Sequence, residues 1–166
     1  MATDHSKFQR IVILDYGSQY TQLIARRIRE QQVFSEIIRF DTPAAKLREN
    51  MPQGIILSGG PNSVFEEGAP GIDPEIFNLG VPVLGVCYGM QLMSQQLGGA
   101  VEPGTEREYG KTEMTTVPGN ELFAGLPEQF IVWMSHGDRV SKIPEGFQVS
   151  ATSGNCPYAA IRNEAK

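Results

Sequence analysis

Residues 82–91 read PVLGVCYGMQ, and within this stretch the pattern changes from that of a buried strand to that of a helix. The apolar run Pro82–Val86 predicts a buried strand, and Tyr88–Leu97 predicts the helix that follows it. Cys87 lies between them in the pattern G-x-C-x-G, which matches the G-x-S-x-G nucleophile elbow with cysteine in place of serine. A thiol held there, beside a helix start that favours a thiolate, is a candidate nucleophile. The alternative interpretation is a buried core cysteine.

Upstream of this elbow, apolar runs alternate with helical patterns. The predicted strands are Arg10–Asp15, Phe34–Phe40 and Gly54–Ser58, and the predicted helices are Ser18–Gln32 and a short one ending at Leu47. Thr42 and Pro43 are suited to the N-cap and first turn of the short helix. Strands separated by helices imply right-handed crossovers, so we predict an α/β fold with a doubly wound, mainly parallel sheet and helices on both faces.

The second half of the chain has a different pattern, with short strand candidates separated by turns rich in Gly, Pro and Asn. They are Glu113–Val117, Phe130–Met134, Phe147–Ser150 and Tyr158–Ile161. We predict that they are extra antiparallel strands on the same sheet. Without a linker or a repeat, residues 1–166 are predicted to form a single domain, and the polar turn at its end predicts that the domain is interrupted at its C-terminus.

A second candidate for chemistry is Ser58–Pro61, which reads SGGP at the end of a predicted strand. Loops at the carboxyl ends of parallel strands form the binding crevice of a doubly wound sheet. Glycine backbone at this edge can direct an N–H group at an oxyanion, and the N–H of Tyr88 would be a second donor. A tight turn that merely requires glycine is the alternative.

The residues around His136 allow two interpretations. His136 and Asp138 could complete a triad with Cys87, because histidine is the commonest activating base. However, residues two apart in an extended stretch rarely reach the geometry that an orienting carboxylate needs, which favours a loop at 135–137 lining a small polar pocket. Cys156 is followed by neither a glycine elbow nor a helix, so we predict a structural thiol.

Composition excludes several classes of function. The chain has 14 basic and 19 acidic residues, a formal charge of −5 and no concentrated basic stripe, which argues against a nucleic-acid partner. Its apolar runs are too short for a membrane span, and the polar N-terminus lacks a secretory signal, so we expect a cytoplasmic protein with reduced thiols. No nucleotide-binding glycine motif occurs, and the widely separated Cys and His residues predict no metal site.

These motifs resemble those of a known family. Gly85–Gln91 is similar to the nucleophile motif of the class I (triad-type) glutamine amidotransferases, and Ser58–Pro61 to their oxyanion loop. Three further matches are similar to the amidotransferase domains of the GMP synthetase family: Asp15–Ile24, Glu106–Gly110 and Trp133–Asp138. The resemblance extends over nearly the whole chain and implies the flavodoxin-like fold of that family.

The resemblance also implies a role for each matching residue. Cys87 would attack the side-chain amide of glutamine, releasing ammonia and leaving a thioester, while the N–H groups of Gly60 and Tyr88 would hold the oxyanion. The amino-acid end of glutamine would be bound by Gly59, Gln91, Ser135 and His136. The domain itself would need no cofactor. In the family, ammonia passes to an ATP-pyrophosphatase synthetase domain that uses ATP and Mg²⁺ to aminate XMP to GMP.

The chain departs from the family at one point. The family's catalytic His and Glu lie in a Phe-His-Pro-Glu segment after the position of Lys166, whereas His136 matches its glutamine-binding loop. We therefore expect this chain to hold the nucleophile without its base and to be inactive or weak alone. The alternatives are a catalytically silent glutamine-binding or interaction module, and a different cysteine hydrolase or flavin binder on the same sheet topology.

Overall fold

The computed structural model describes residues 9–165, apart from the side chains of residues 105–108. The chain divides into two compact units, the first ending at Met93 and the second spanning Ser94–Ala165. The prediction of a single domain stays a prediction. The matching stretch at 106–110 falls partly on the side chains that are not described.

The first unit contains four parallel strands. They are β1 (Arg10–Asp15), β2 (Phe34–Arg39), β3 (Gly54–Leu57) and β4 (Val83–Gly85). The helices are α1 (Thr21–Glu30), α2 (Ala44–Glu49), a short 3₁₀ helix (Pro74–Asn78) and α3 (Tyr88–Gln96), whose last three residues are counted in the second unit. The strand order is β2-β1-β3-β4, and every pairing is parallel.

This strand order explains where a site can form. From β1 the chain crosses to β2 on one side, and from β2 it crosses back to β3 on the other side of β1. Since such crossovers are right-handed, the two connections cover opposite faces of the sheet. The order reverses between β1 and β3, and the carboxyl ends of strands at such a switch point form a crevice. The predicted doubly wound α/β fold is confirmed.

The core of the first unit follows from the strand sequences. Val12, Ile13 and Leu14 are fully buried although they are consecutive, which requires cover on both faces of the sheet. Ile55 and Leu57 on the neighbouring strand are buried to the same degree. Burying one such aliphatic side chain contributes about 1.5–3 kcal/mol, so the central strands hold the crevice loops on a rigid base.

The start of α2 differs from the prediction. Pro43 occupies the N-cap position with extended backbone and makes no side-chain cap hydrogen bond, and α2 begins at Ala44. The Ala44 N–H instead donates to Oδ2 of Asp73, at 2.9 Å. The prediction that Thr42 caps this helix is therefore wrong, because a carboxylate far along the chain satisfies its first donor.

The second unit is an antiparallel sheet with the order β6-β5-β7-β8. Its strands are β5 (Ala100–Thr116), β6 (Gln129–Lys142), β7 (Gln148–Ser153) and β8 (Ala160–Arg162), with a 3₁₀ turn at Glu121–Phe123. The prediction that these strands extend the parallel sheet is wrong, since they pair only among themselves within the described residues. In residues 9–165 as a whole, no helix is long and apolar enough to cross a membrane.

Candidate active site

Cys87 occupies a strained bend between β4 and α3. Its φ angle is +51°, and among the described residues other than glycine only Gln32 shares a positive value. Residues with a side chain adopt this left-handed conformation rarely, at a cost of about 1–3 kcal/mol. Cys87 is also exposed and forms no disulfide. The structure thus places an accessible sulfur at the elbow, where the G-x-C-x-G pattern predicts it.

Two glycines flanking Cys87 allow the bend to pack. A Cβ atom added at Gly85 would lie 2.7 Å from the backbone nitrogen of Met90, and one added at Gly89 would overlap the carbonyl oxygen of Leu57. Both obstacles are backbone, which cannot move aside as a flexible side chain can. The two positions therefore need glycine so that α3 can start directly against the end of β3.

Backbone hydrogen bonds fix the elbow to β3. The Val86 N–H donates to the Leu57 carbonyl at 2.9 Å, and the Gly89 N–H donates to the Ser58 carbonyl at 3.1 Å. Tyr88 is the first residue of α3, so its own N–H has no acceptor within the helix. The positive end of the helix dipole at this point favours an anion beside Cys87.

The glycine pair that follows β3 lies against the elbow. A Cβ atom added at Gly59 would be 3.4 Å from Cβ of Cys87 and 3.6 Å from Oγ of Ser18. One added at Gly60 would overlap the carbonyl oxygen of Tyr16. The loops after β1, β3 and β4 therefore converge, and a side chain at Gly59 would occupy the space next to the nucleophile.

Ser58 connects these loops through its buried hydroxyl group. Its Oγ accepts a hydrogen bond from the Tyr16 N–H at 2.9 Å and donates one to the Gly59 carbonyl at 2.8 Å. The side chain is fully buried. The sequence identified Ser58 only as part of a loop motif, because the partner of a buried hydroxyl cannot be read from local pattern.

Two tyrosines pack beneath the elbow. The rings of Tyr16 and Tyr88 are 5.4 Å apart, and their hydroxyl groups donate to the carbonyls of Gly71 (3.3 Å) and Pro70 (2.6 Å). Burial, and secondly the neighbouring Tyr88, raises the pKa of Tyr16. Burial, and secondly the charge of Glu66, raises the pKa of Tyr88. Both phenols stay protonated and act as donors that hold the loop at 70–71.

Three further predicted binding residues lie in α3 and β6. Gln91 is 7% exposed, and its backbone N–H donates to the Cys87 carbonyl at 3.0 Å, so it is one helical turn from the nucleophile. Ser135 and His136 belong to the second unit, where Ser135 is exposed and His136 half-buried. The prediction of a loop at 135–137 is wrong, because β6 runs without interruption from Gln129 to Lys142.

The remaining candidates from the sequence are also placed. His136 and Asp138 are two residues apart in β6, where strand alternation gives them a common face. Their triad with Cys87 stays a hypothesis. Cys156 is buried, in agreement with a structural thiol. Among the side chains that the structure describes, no group of three or more His, Cys, Asp or Glu residues could hold a metal ion.

Comparison with known proteins gives a consistent result. The family model of class I glutamine amidotransferases matches residues 12–166. A GMP synthase (glutamine-hydrolysing) of Lactobacillus acidophilus is 54% identical over 167 aligned positions, covering 100% of this chain and 32% of that protein. The same enzyme of Lactococcus lactis subsp. cremoris is 61% identical over 155 positions, covering 93% of this chain and 30% of the relative. The chain thus spans about a third of the length of these relatives.

Solved structures agree with the sequence comparison. A Thermoplasma acidophilum protein, described as a GMP synthase subunit, superposes with a TM-score of 0.85 at 29% identity, covering 96% of this chain and 80% of that one. A glutamine amidotransferase of Thermotoga maritima gives a TM-score of 0.72 at 20% identity, and the superposition covers 93% of this chain and 71% of that one. The second likeness concerns the fold alone.

Proposed function

Because this chain belongs to the class I glutamine amidotransferase family, we propose that Cys87 is the nucleophile of a glutamine-hydrolysing site. The observation that carries the proposal is the elbow itself: an exposed cysteine at φ +51° with the Gly59 backbone beside it. A structural cysteine has no reason to occupy a strained and accessible position, whereas a nucleophile requires both access and a fixed direction.

The reaction proceeds in two halves. The Cys87 thiolate attacks the side-chain amide carbon of glutamine, and the negative charge moves to the amide oxygen. The N–H groups of Gly60 and Tyr88 donate to that oxygen. The C–N bond then breaks, and the nitrogen leaves as ammonia after taking a proton. Water next attacks the thioester, which regenerates the thiol and releases glutamate, so glutamine and water give glutamate and ammonia.

The proton transfers need a general base, which we place in the Phe-His-Pro-Glu segment of the family. His136 instead contributes to binding the amino-acid end of glutamine, together with Gly59, Gln91 and Ser135. Gly59 suits this role because the absence of a side chain leaves room next to Cys87 for the substrate.

We further propose that the ammonia serves GMP synthesis. The relatives that this chain matches, over about a third of their length, are named GMP synthases (glutamine-hydrolysing). In such an arrangement the partner is an ATP-pyrophosphatase synthetase domain in the same polypeptide, which uses ATP and Mg²⁺ to aminate XMP. The metal and the nucleotide belong to that domain, so the residues described here act only on glutamine.

Affinity labelling tests the glutaminase site. The glutamine analogue acivicin should modify Cys87 and leave Cys156 unmodified, as judged by peptide mass spectrometry, and excess L-glutamine should slow the reaction. The Cys87→Ala variant is the matched control and should take up no label. Labelling confined to Cys156 would refute the proposal.

Calorimetry combined with a glutamate assay separates an enzyme from a silent binding module. We expect glutamate release when the chain is extended by the segment that its longer relatives carry. Glutamine binding without glutamate release in that extended protein would favour the binding module.

A further inference from the structure

The plane of the Gly59–Gly60 peptide determines whether the proposed oxyanion donor is available. In a trans peptide, the carbonyl of one residue and the N–H of the next point in opposite directions. No cis peptide occurs among the described residues. The direction of the Gly59 carbonyl therefore fixes the direction of the Gly60 N–H. A half-turn of this peptide would put a carbonyl oxygen where the donor is needed.

Two consecutive glycines do not hold such a plane by themselves. Glycine adopts positive and negative φ values with similar ease, so a peptide between two glycines can turn over at little steric cost. A further interaction is needed to select one orientation. In this chain, the Ser58 hydroxyl donates to the Gly59 carbonyl at 2.8 Å.

The Ser58 hydroxyl is itself held rigidly. It accepts a hydrogen bond from the Tyr16 N–H at 2.9 Å and is fully buried. The Ser58 backbone also receives the Gly89 N–H at 3.1 Å and donates to the Leu14 carbonyl at 3.1 Å. The hydroxyl therefore has a fixed position relative to both β1 and the elbow.

We propose that Ser58 is a positioning residue for glutamine hydrolysis, whose hydroxyl locks the Gly59–Gly60 peptide so that the Gly60 N–H faces the oxyanion. Ser58 touches neither substrate nor the reacting atoms. It acts through the peptide that carries the donor. This inference rests on the proposed glutaminase function and adds a residue to it.

The test compares two probes of Cys87 in the Ser58→Ala variant. A chloroketone analogue of glutamine places its ketone oxygen where the amide oxygen would lie, so its inactivation rate depends on the oxyanion donors. Iodoacetamide alkylates an accessible thiolate directly and needs no oxyanion donor. We expect Ser58→Ala to lower the maximal inactivation rate by the chloroketone by about 10- to 100-fold, with its half-saturating concentration and the iodoacetamide rate changed less than about twofold.

The matched control is Ser35→Ala. Ser35 is 1% exposed, and its hydroxyl donates to the Ala25 carbonyl at 2.9 Å, so this variant loses the same kind of buried hydrogen bond between α1 and β2. We expect its chloroketone rate to equal that of the wild type. Equal chloroketone rates for Ser58→Ala and wild type would overturn the proposal. A parallel loss of both rates would also overturn it, because it would reduce Ser58 to a structural role.

A second variant tests the positioning role of Ser58 if Ser58→Ala fails to fold, as judged by circular dichroism. Ser58→Cys keeps a weaker donor at the same position and should lower the chloroketone rate by several-fold. A wild-type rate in Ser58→Cys would then refute the positioning role. Failure of the wild-type protein itself to react with the chloroketone at Cys87 would instead refute the proposed function.

Discussion

Strain at the nucleophile predicts that the protein is more stable with glycine than with alanine at position 87. We compare Cys87→Gly with Cys87→Ala, which both remove the sulfur but differ in the conformations they permit. Only glycine relieves the φ of +51°. A left-handed residue with a Cβ costs about 1–2 kcal/mol of folded-state stability, which glycine avoids. Glycine also has more conformational freedom in the unfolded chain, and this reduces the gain in stability by about 0.5–1 kcal/mol. Cys87→Gly should therefore be about 0.5–1 kcal/mol more stable than Cys87→Ala.

Urea unfolding followed by circular dichroism measures this difference, and thermal unfolding should show a rise of about 1–4 °C. Gln32 is the matched control, since its φ is +61° and it lies outside the site, so Gln32→Gly should likewise exceed Gln32→Ala. Arg26, exposed within α1, should show the opposite order by about 1 kcal/mol, because glycine weakens a helix interior. If Cys87→Gly proves no more stable than Cys87→Ala while both controls behave as expected, the bend is not strained and the reasoning fails.

The remaining predictions concern the supports of the site. Gly89→Ala should destabilise the first unit by at least about 1–3 kcal/mol, because its Cβ would overlap the backbone of Leu57. Urea unfolding measures this loss of stability, and acivicin kinetics should show a lower rate of modification at Cys87. Asp73→Ala should cost about 1 kcal/mol in urea unfolding at pH 7, as α2 loses its cap. Hydrogen bonds from the backbone N–H groups of Ala44 and then Glu75 lower the pKa of Asp73, so its contribution is complete above the ordinary value of 3.8 and disappears as pH falls through the lower folded value. A gap between wild type and Asp73→Ala that persists unchanged at pH 2 would contradict this account.

Local pattern was sufficient for the features that one segment determines. β1 was predicted with its observed bounds, Arg10–Asp15, because a continuous apolar run fits only a strand covered on both faces. The start of α3 at Tyr88 was also predicted, since the glycines around Cys87 mark the change from strand to helix. Each of these signals lies within about ten residues.

Features that depend on distant partners were not predictable in this way. The cap of α2 comes from Asp73, which lies 29 residues beyond Ala44. β5 extends over 17 residues although it contains Pro103 and Gly110, because these residues pair with Asp138 and Met134 of β6 and the pairing overrides weak strand preferences. Pairing of Ser135 with Tyr109 and of His136 with Glu108 likewise places the first two residues of the predicted loop at 135–137 in a strand. Sequence patterns indicate the local preference of a segment, whereas pairing with a partner strand determines whether these residues of β5 and β6 form strand.

The elbow combines both kinds of information, which explains why its position was predictable and its support was not. Holding Cys87 at positive φ costs about 1–3 kcal/mol, which the helix that follows cannot offset by its own propensity. Hydrogen bonds from Val86 to Leu57 and from Gly89 to Ser58 bind the two sides of the bend to β3, and each contributes about 0.5–1.5 kcal/mol. Together the two hydrogen bonds contribute about as much stability as the left-handed conformation of Cys87 costs. The end of β3 therefore holds the bend and fixes the direction in which the Cys87 side chain projects. Substitutions at the end of β3 should alter the reactivity of Cys87 before they unfold the sheet.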